Sequence, residues 1–300
     1  MRPRVPGRHL TLAVILLAAS CLIEVPASAQ DAGQSTALKD VPRGHLELTF
    51  EEKHPLGNVT EQCRRFEWTR GFVRRHDERG GRYDLEDVRF HAYVPRLTKP
   101  EATLGVLVHV SPSDSGGIPE TWIPVLERFR IIAVGFEGGG NDREIWYRVA
   151  WALDALHGIQ ARYPVDPRRC YVTGFSGGAR IASRLAFLYP DVFQGGIYQG
   201  GCNYFEALPT ADGTKSWPKR FPKPSGEHWK LFRDRSRHAF VFGEDDFNRE
   251  QGEAILRHLQ DREGLTRLKW IQMPERGHEP ATPHALAEAI AWLDAPLESK

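Results

Sequence analysis

The residue types and spacing around Ser176 could support nucleophilic chemistry. Residues 174–178 read GFSGG and match the pattern G-x-S-x-G, in which a serine on a sharp strand-to-helix turn projects its hydroxyl above a sheet. The pattern is short enough to occur by chance, but a β-prone segment precedes it here and a helix-prone segment follows it. This context favours a nucleophilic serine over a serine that only occupies a glycine turn.

A serine hydroxyl becomes a good nucleophile when a base takes its proton, and a carboxylate commonly orients that base. Asp246 and His278 follow two apolar segments downstream, and Asp245 lies beside Asp246. Successive side chains near a strand end point to roughly opposite sides, so only one of the two aspartates can reach the imidazole. The chain order serine, aspartate, histidine is the order typical of α/β-hydrolases.

The segments that would hold these residues show a regular alternation. From residue 105 onward, short apolar runs alternate with longer amphipathic segments, which is typical of βαβ units on a parallel sheet. Strands are predicted at residues 105–110, 130–136, 169–174, 194–198, 238–242 and 267–273, after β-like segments at 45–50, 65–69 and 88–94. Helices are predicted at 145–163, 179–188, 249–259 and 284–293. The predicted fold class is α/β, a mostly parallel central sheet with helices on both faces.

Each candidate catalytic residue follows a predicted strand. Open parallel sheets place their sites at the carboxyl ends of their strands, so Ser176, Asp246 and His278 are expected to meet at that edge. Asn141 or Asp142 is expected to cap the helix at residues 145–163.

Residues 203–237 interrupt the alternation after the strand that follows the nucleophile helix. The segment is rich in proline and aromatic residues and contains eight basic and four acidic residues. Long segments of this kind are often lids or binding loops, so we expect a lid-like insertion in which Trp217 and Trp229 contact the substrate. The alternative is a solvated loop packed by its own aromatic rings.

The composition argues against several classes of protein. The chain has 300 residues with 40 Lys+Arg against 39 Asp+Glu, a formal net charge of +1. Such a balance supplies no broad basic field for a nucleic acid backbone. The histidines and cysteines lack zinc-ligand spacing, and the glycine-rich segment 137–141 lacks the phosphate-loop patterns. No metal, cofactor or nucleic acid partner is predicted.

The first 29 residues are typical of an export signal. Arg2, Arg4 and Arg8 precede an apolar run at residues 10–23, and residues 27–29 read ASA, a small-residue cleavage signal. The run is shorter than the roughly 20 residues that span a bilayer, so no stable membrane anchor is expected. The sequence predicts a periplasmic or secreted bacterial protein, with a flexible tail at 30–43 and one domain at 44–300.

Three cysteines follow the predicted cleavage site, namely Cys63, Cys170 and Cys202. Export leads to an oxidising compartment, in which at most one disulfide could form from three residues. Cys170 and Cys202 are expected at opposite ends of neighbouring strands. Two alternatives remain, a disulfide between Cys63 and Cys202 or three unpaired thiols.

Residues 88–293 resemble the α/β-hydrolases, and among them the exported bacterial esterases of the polyhydroxybutyrate depolymerase and feruloyl esterase type. The resemblance is carried by residues 174–178, by the segment DPRR at 166–169, by 243–246 and by the pair 277–278. It implies Ser176 as nucleophile, His278 as base and, from the spacing to a preceding glycine, Asp246 as the orienting carboxylate. It also implies hydrolysis of a small-molecule or polymeric carboxylic ester through an acyl-enzyme.

The resemblance implies an oxyanion hole built from main-chain N–H groups. One donor would be Gly177, and the second would come from the loop after the strand at 105–110. Many relatives have His-Gly in that loop, where this chain has residues 110–113 reading VSPS. Pro112 has no N–H, which leaves Ser111 or Ser113. A serine peptidase, an acyltransferase and an inactive binding homologue are the alternative functions.

Overall fold

The computed structural model describes residues 41–96 and 103–296. The predicted export signal at 1–29 and most of the predicted tail at 30–43 lie outside these ranges. Among the residues described, no helix is both long enough and apolar enough to cross a membrane.

An eight-stranded, mostly parallel sheet forms the centre of the molecule, as the sequence predicts. The strands of the chain are β1 (Gly44–Leu48), β2 (Phe90–Val94), β3 (Leu104–Val110), β4 (Ile131–Phe136), β5 (Val165–Phe175), β6 (Gly195–Gln199), β7 (Leu208–Pro209), β8 (Ser216–Trp217), β9 (Arg237–Gly243) and β10 (Leu268–Met273). The sheet order is β1-β2-β4-β3-β5-β6-β9-β10, and β7 pairs with β8 separately. β2 runs antiparallel to β1 and β4, and the other pairs of the large sheet are parallel.

Helices cover both faces of the sheet. They are α1 (Val59–Phe66), α2 (Arg70–His76), α3 (Ile123–Phe129), α4 (Ile145–Arg162), α5 (Gly177–Leu188), α6 (Gly226–Asp234), α7 (Arg249–Asp261) and α8 (Pro283–Leu293). The apolar side chains of α4, α5 and α7 belong to the core on one face, and those of α3 and α8 belong to the core on the other.

The strands next to the site are largely hydrophobic because both faces of the sheet are covered. All residues of β3, β4 and β9 are buried. Along β3, Val106 and Val108 pack into the core with α4 and α5, whereas Leu107 between them packs into the core with α3 and α8. Parallel strands buried on both faces show such continuous apolar runs, which is why their positions are visible in the sequence.

Several local predictions are wrong. Residues 65–69 are not a strand: α1 extends to Phe66, and Asn58 caps its start by accepting a hydrogen bond from the Glu61 N–H. The N-cap of α4 is Glu144, without a side-chain hydrogen bond, rather than Asn141 or Asp142. Helices α2, α3 and α6 were not predicted. They have 7, 7 and 9 residues, too few for their periodicity to stand out.

The segment 203–237 contains the β7–β8 hairpin and α6. Its aromatic rings pack largely on the body of the protein: Phe232 and Phe221 are buried and contact Phe187 of α5 at centroid distances of 4.4 and 5.6 Å. The segment is therefore folded onto α5 rather than extended into solvent.

The thiols of Cys63, Cys170 and Cys202 are all buried and unpaired. Of the two alternatives left open by the sequence, the structure has the three free thiols. Burial raises the pKa of Cys170 and Cys202 to about 12, so neither thiol is set up as a thiolate nucleophile.

Candidate active site

Ser176 occupies the sharp turn between β5 and α5. Its backbone has φ 53° and ψ −117°, a conformation that L residues rarely adopt. The Ser176 N–H donates to the carbonyl of Gln199 on β6 at 2.8 Å. A Cβ on Gly178 would lie 1.9 Å from the carbonyl oxygen of Val110, so a residue without a side chain is needed for α5 to approach β3. These contacts set the serine hydroxyl at the carboxyl edge of the sheet.

A continuous hydrogen-bonded chain connects the three predicted residues. His278 Nε2 lies 2.9 Å from Ser176 Oγ, and His278 Nδ1 lies 3.0 Å from both carboxylate oxygens of Asp246. A carboxylate only accepts hydrogen bonds, so Nδ1 carries the proton and Nε2 is free to accept the serine proton. The structure brings Ser176, His278 and Asp246 together as the sequence predicts.

Asp246 is held in place by the chain that follows it. Its Oδ1 accepts a hydrogen bond of 2.8 Å from the Asn248 N–H, and its side chain is fully enclosed. Asp245, in contrast, is exposed. The choice of Asp246 over Asp245 thus agrees with the register of the loop after β9.

Two aromatic rings flank the imidazole of His278. Phe175 lies at a centroid distance of 4.7 Å and Phe247 at 4.3 Å. Phe247 is 77% exposed, so its ring forms an apolar rim at the mouth of the site. Sequence reasoning did not single out Phe247, although it is the residue directly after Asp246.

Two main-chain segments next to Ser176 could donate hydrogen bonds to an oxyanion. Gly177 begins α5, and Ser111 is the first residue after β3. The N–H of Ser113 already donates to Ser111 Oγ at 3.1 Å, which makes Ser111 the better candidate for the second donor. The Ser111 carbonyl accepts a hydrogen bond of 3.0 Å from Arg148 Nη2, so a side chain on α4 fixes this loop.

Asn141 contacts the nucleophile turn although it is not the cap of α4. Its N–H donates to the Pro112 carbonyl at 2.9 Å. Its Oδ1 lies 1.9 Å from the position that a Cβ on Gly177 would take. Asn141 therefore packs on the residue that would supply the first oxyanion donor.

Two adjoining depressions open beside Ser176. The first, which we call the serine pocket, has a volume of about 460 Å³ and is lined by Ser176, Gly177, Arg148, Phe247 and others. The second, the side pocket, has about 400 Å³ and is lined by Trp217, Pro218, Arg220 and Gln251. Arg180, Arg184, Asn203 and Asn248 line both. The shared residues make the two depressions one continuous surface.

The structure separates the two predicted tryptophans. Trp217 lines the side pocket, within reach of a substrate that extends from Ser176. Trp229 lines neither pocket. It stacks on Phe232 at a centroid distance of 5.3 Å and contacts Phe205 at 5.9 Å. The ring of Trp229 thus packs against other aromatic residues of the segment 203–237, whereas Trp217 lies beside the site.

Comparison with known proteins gives partial sequence matches. No model of a protein family matches the chain. Acetylxylan esterase A of Emericella nidulans is 34% identical over 96 residues, which are 31% of this chain and 29% of the relative. A probable acetylxylan esterase A of Aspergillus flavus is 32% identical over the same shares. The matched part spans less than a third of the length of these curated relatives.

Solved structures match much more of the chain. An S-formylglutathione hydrolase of Staphylococcus aureus superposes with a TM-score of 0.53 at 9% identity, over 83% of this chain and 98% of the other. The chain has the α/β-hydrolase fold. An acetyl xylan esterase of Aspergillus awamori has a TM-score of 0.51 at 13% identity, over 83% of this chain and 99% of the other. Within the α/β-hydrolase fold, Ser176 follows the central strand β5, and Asp246 and His278 follow β9 and β10.

Proposed function

We propose that the protein hydrolyses carboxylic esters through an acyl-enzyme, with Ser176 as nucleophile, His278 as base and Asp246 as the orienting carboxylate. The observation that carries the proposal is the hydrogen-bonded chain from Asp246 through His278 to Ser176 Oγ, with distances of 3.0 and 2.9 Å. The sequence similarity to acetylxylan esterases supports ester hydrolysis as the reaction.

In the first half of the reaction, Ser176 Oγ attacks the ester carbonyl carbon while its proton moves to His278 Nε2. The carbonyl oxygen becomes an oxyanion that accepts hydrogen bonds from the N–H groups of Gly177 and Ser111. When the tetrahedral intermediate collapses, the C–O bond to the alcohol breaks and His278 gives its proton to the leaving oxygen. The acyl group then remains on Ser176.

In the second half, water takes the place of the alcohol. His278 Nε2 accepts a proton from water as its oxygen attacks the acyl carbon, and the same proton returns to Ser176 Oγ when the carboxylic acid leaves. Asp246 accepts from His278 Nδ1 throughout and stabilises the imidazolium that exists between the two transfers.

The proposal extends to cellular location. The pattern of residues 1–29 supports export by cleavage after Ala29, which would leave Gln30 as the first residue of the mature protein. N-terminal sequencing of the protein recovered outside the cytoplasm tests this directly. An unprocessed Met1 would contradict it.

The reaction is tested by comparing short nitrophenyl esters with peptide nitroanilides, together with labelling by a fluorophosphonate. The wild-type protein is expected to release nitrophenol and to become labelled, and Ser176→Ala to lose both while keeping its melting temperature. Loss of a triad residue costs on the order of 10⁴ to 10⁶ in rate. Ser225→Ala is the control, since Ser225 is exposed and makes no side-chain cap bond.

The same experiment separates the alternatives. Turnover of the nitroanilides in preference to the esters would indicate a peptidase. Preferential formation of a new ester when an alcohol is added would indicate an acyltransferase. Labelling and turnover that persist in Ser176→Ala would contradict the assignment of the nucleophile.

A further inference from the structure

Four arginines line the surface formed by the serine pocket and the side pocket. Arg148 comes from α4, Arg180 and Arg184 come from α5, and Arg220 comes from the segment 203–237. We call these residues the arginine cluster. Arg180 and Arg184 are four residues apart, so both extend from the same face of α5 as the turn that holds Ser176.

Arg184 is the most unusual member of the cluster. It is 7% exposed, and its Nε is buried without a hydrogen-bond partner. Across the described ranges 41–96 and 103–296, no hydrogen bond or ion pair involves this side chain. Burial, together with the positive charges of Arg220, Arg148 and Arg180, lowers the pKa of its guanidinium to about 10. Arg184 therefore still carries its charge at neutral pH.

Arg65, which is buried, and Arg169, which is half-buried, are each paired with a carboxylate. Arg65 donates to both oxygens of Asp191 at 2.7 Å, and Arg169 donates to both oxygens of Asp294 at 3.0 and 2.6 Å. Arg184, in contrast, has no carboxylate partner among the residues that the structure describes.

The residues that line the two pockets include no aspartate or glutamate. Arg180 is anchored by neutral groups, with Nη2 donating to Asn248 Oδ1 at 3.0 Å and Nη1 lying 3.4 Å from Asn203 Oδ1. Arg220 is exposed at the outer side of the side pocket. The surface beside Ser176 thus has several positive charges and no lining carboxylate.

A buried charge without a counter-charge costs several kcal/mol of desolvation in the ligand-free protein. A carboxylate that forms two parallel hydrogen bonds with a guanidinium offsets that cost. Arg184 and Ser176 line the same pocket. A carboxylate bound to Arg184 would therefore belong to the molecule whose ester bond lies at Ser176. Trp217 and Phe247 supply apolar contacts for the rest of that molecule.

We propose that the arginine cluster is a carboxylate subsite, with Arg184 as its central residue, and that the preferred substrates are esters that carry a free carboxylate group. The substrate class rests on the proposed ester hydrolysis, whereas the binding of a carboxylate beside Ser176 does not require it. The carboxylate could belong to the acyl part or to the alcohol part of the ester.

Binding is tested first, on Ser176→Ala protein so that no turnover occurs. Titration calorimetry with glutarate and with 4-hydroxybenzoate is compared with titration of the corresponding amides. Both carboxylates are expected to bind at least tenfold more tightly than their amides. In the Ser176→Ala background, Arg184→Gln and Arg220→Gln are each expected to weaken carboxylate binding. Equal affinity for acids and amides would overturn the subsite.

Turnover is tested next with pairs of esters of similar shape. The mono-4-nitrophenyl ester of glutaric acid against 4-nitrophenyl valerate tests the acyl side, and 4-(butyryloxy)benzoate against phenyl butyrate tests the alcohol side. The higher kcat/KM is expected for the anionic member of one pair. Arg184→Gln should reduce that kcat/KM by about 30-fold or more, the usual effect of removing one partner of a buried charge pair. It should also lower the ratio between the kcat/KM values of the anionic and the neutral member of the pair.

One control variant keeps the outcomes distinct. Arg257→Gln removes an exposed positive charge from α7 that lines neither pocket, so it is expected to leave the preference intact. If Arg257→Gln reduces the preference for anionic esters as much as Arg184→Gln does, the preference arises from the general positive potential of the protein and the subsite proposal is wrong. If carboxylates bind but no ester is cleaved, the proposed function fails while the subsite stands. If neutral esters are cleaved as well as anionic ones, the subsite fails while the proposed function stands.

Discussion

Arg148 Nη2 donates a hydrogen bond of 3.0 Å to the carbonyl oxygen of Ser111. The arginine is buried on α4, and the serine begins the loop that would supply the second oxyanion donor. A positive charge in the pocket and the geometry of the oxyanion loop are therefore coupled through one side chain.

Arg148→Met is expected to lower kcat on a neutral nitrophenyl ester by about tenfold or more, because a small displacement of positioned groups is costly in rate. KM should change little, since a neutral ester gains nothing from the charge. The kcat and KM of the variant, with Arg148→Lys as a partial replacement for the donor, check this. A change confined to KM would show that Arg148 contacts substrate without positioning the loop.

Asp246→Asn is expected to lower turnover by about 10⁴, because an amide favours the tautomer of His278 in which Nε2 cannot accept the serine proton. Asp245→Asn should stay close to wild type, since Asp245 is exposed. The same chemical change is made at two adjacent positions, so each variant is the control for the other. The measurement is the ratio of the kcat/KM values of the two variants. Similar activities in both would disprove the orienting role of Asp246.

Gly177→Ala is expected to reduce turnover by about 100-fold, the cost of a displacement near 1 Å in the reacting groups. The added Cβ would stand 1.9 Å from Asn141 Oδ1, so either the turn or the asparagine must move. Shortening the neighbour in the double variant Gly177→Ala with Asn141→Ala should restore part of the loss. A double-mutant cycle on kcat/KM measures this coupling, and additive losses would mean that the two residues do not interfere.

His238 predicts an acid-dependent loss of stability. It is fully buried with Nδ1 2.7 Å from the Tyr198 hydroxyl, and burial lowers its pKa from 6.5 to about 3. Below pH 6.5 the histidine is therefore protonated in the unfolded state, whereas in the folded state it becomes protonated only near pH 3. The stabilising contribution is complete above pH 6.5 and decreases by about 1.4 kcal/mol per pH unit as the pH falls through that window.

Urea unfolding at several pH values between 7 and 4 measures that slope. His238→Gln should flatten it by one proton equivalent, whereas His284→Gln should leave it unchanged because His284 is exposed. Burial also lowers the pKa of His109 from 6.5 to about 4, so this histidine contributes to the slope that remains. An unchanged slope in His238→Gln would show that this histidine is protonated in the folded state.

The part of the fold that could be predicted is the part that is buried on both faces. Strands β3 and β9 are mostly apolar, apart from His109 in β3 and Arg237 and His238 at the start of β9. The ends of these apolar runs indicated where Ser111 and Asp246 lie. Helix α3 escaped prediction because it has only seven residues and contains Pro124. Helix α6 is short and mostly polar, with Phe232 as its one fully buried residue.

The arginine cluster could not be predicted for a different reason. In the sequence, Arg180 and Arg184 are two charges one turn apart, which is ordinary for a solvated helix face. In the folded chain Arg184 is buried, and the half-buried Arg180 contacts Asn203 and Asn248. The sequence does show two arginines at i, i+4 spacing directly after the nucleophile turn. This spacing indicates an anion site only once the structure shows that the pockets they line have no aspartate or glutamate in their lining.

The backbone conformation of Ser176 lowers the stability of the protein at the residue that the proposed reaction requires. Glu67 and Arg130 also have positive φ, but they end α1 and α3 in the common left-handed conformation. Ser176, with ψ −117°, lies outside it, and such residues cost about 1 to 3 kcal/mol. Ser176→Gly should therefore melt at a higher temperature than Ser176→Ala, as calorimetry can measure, although both lack the hydroxyl. Glycine would give the more stable protein at this position, but it would lack the hydroxyl that the proposed reaction needs.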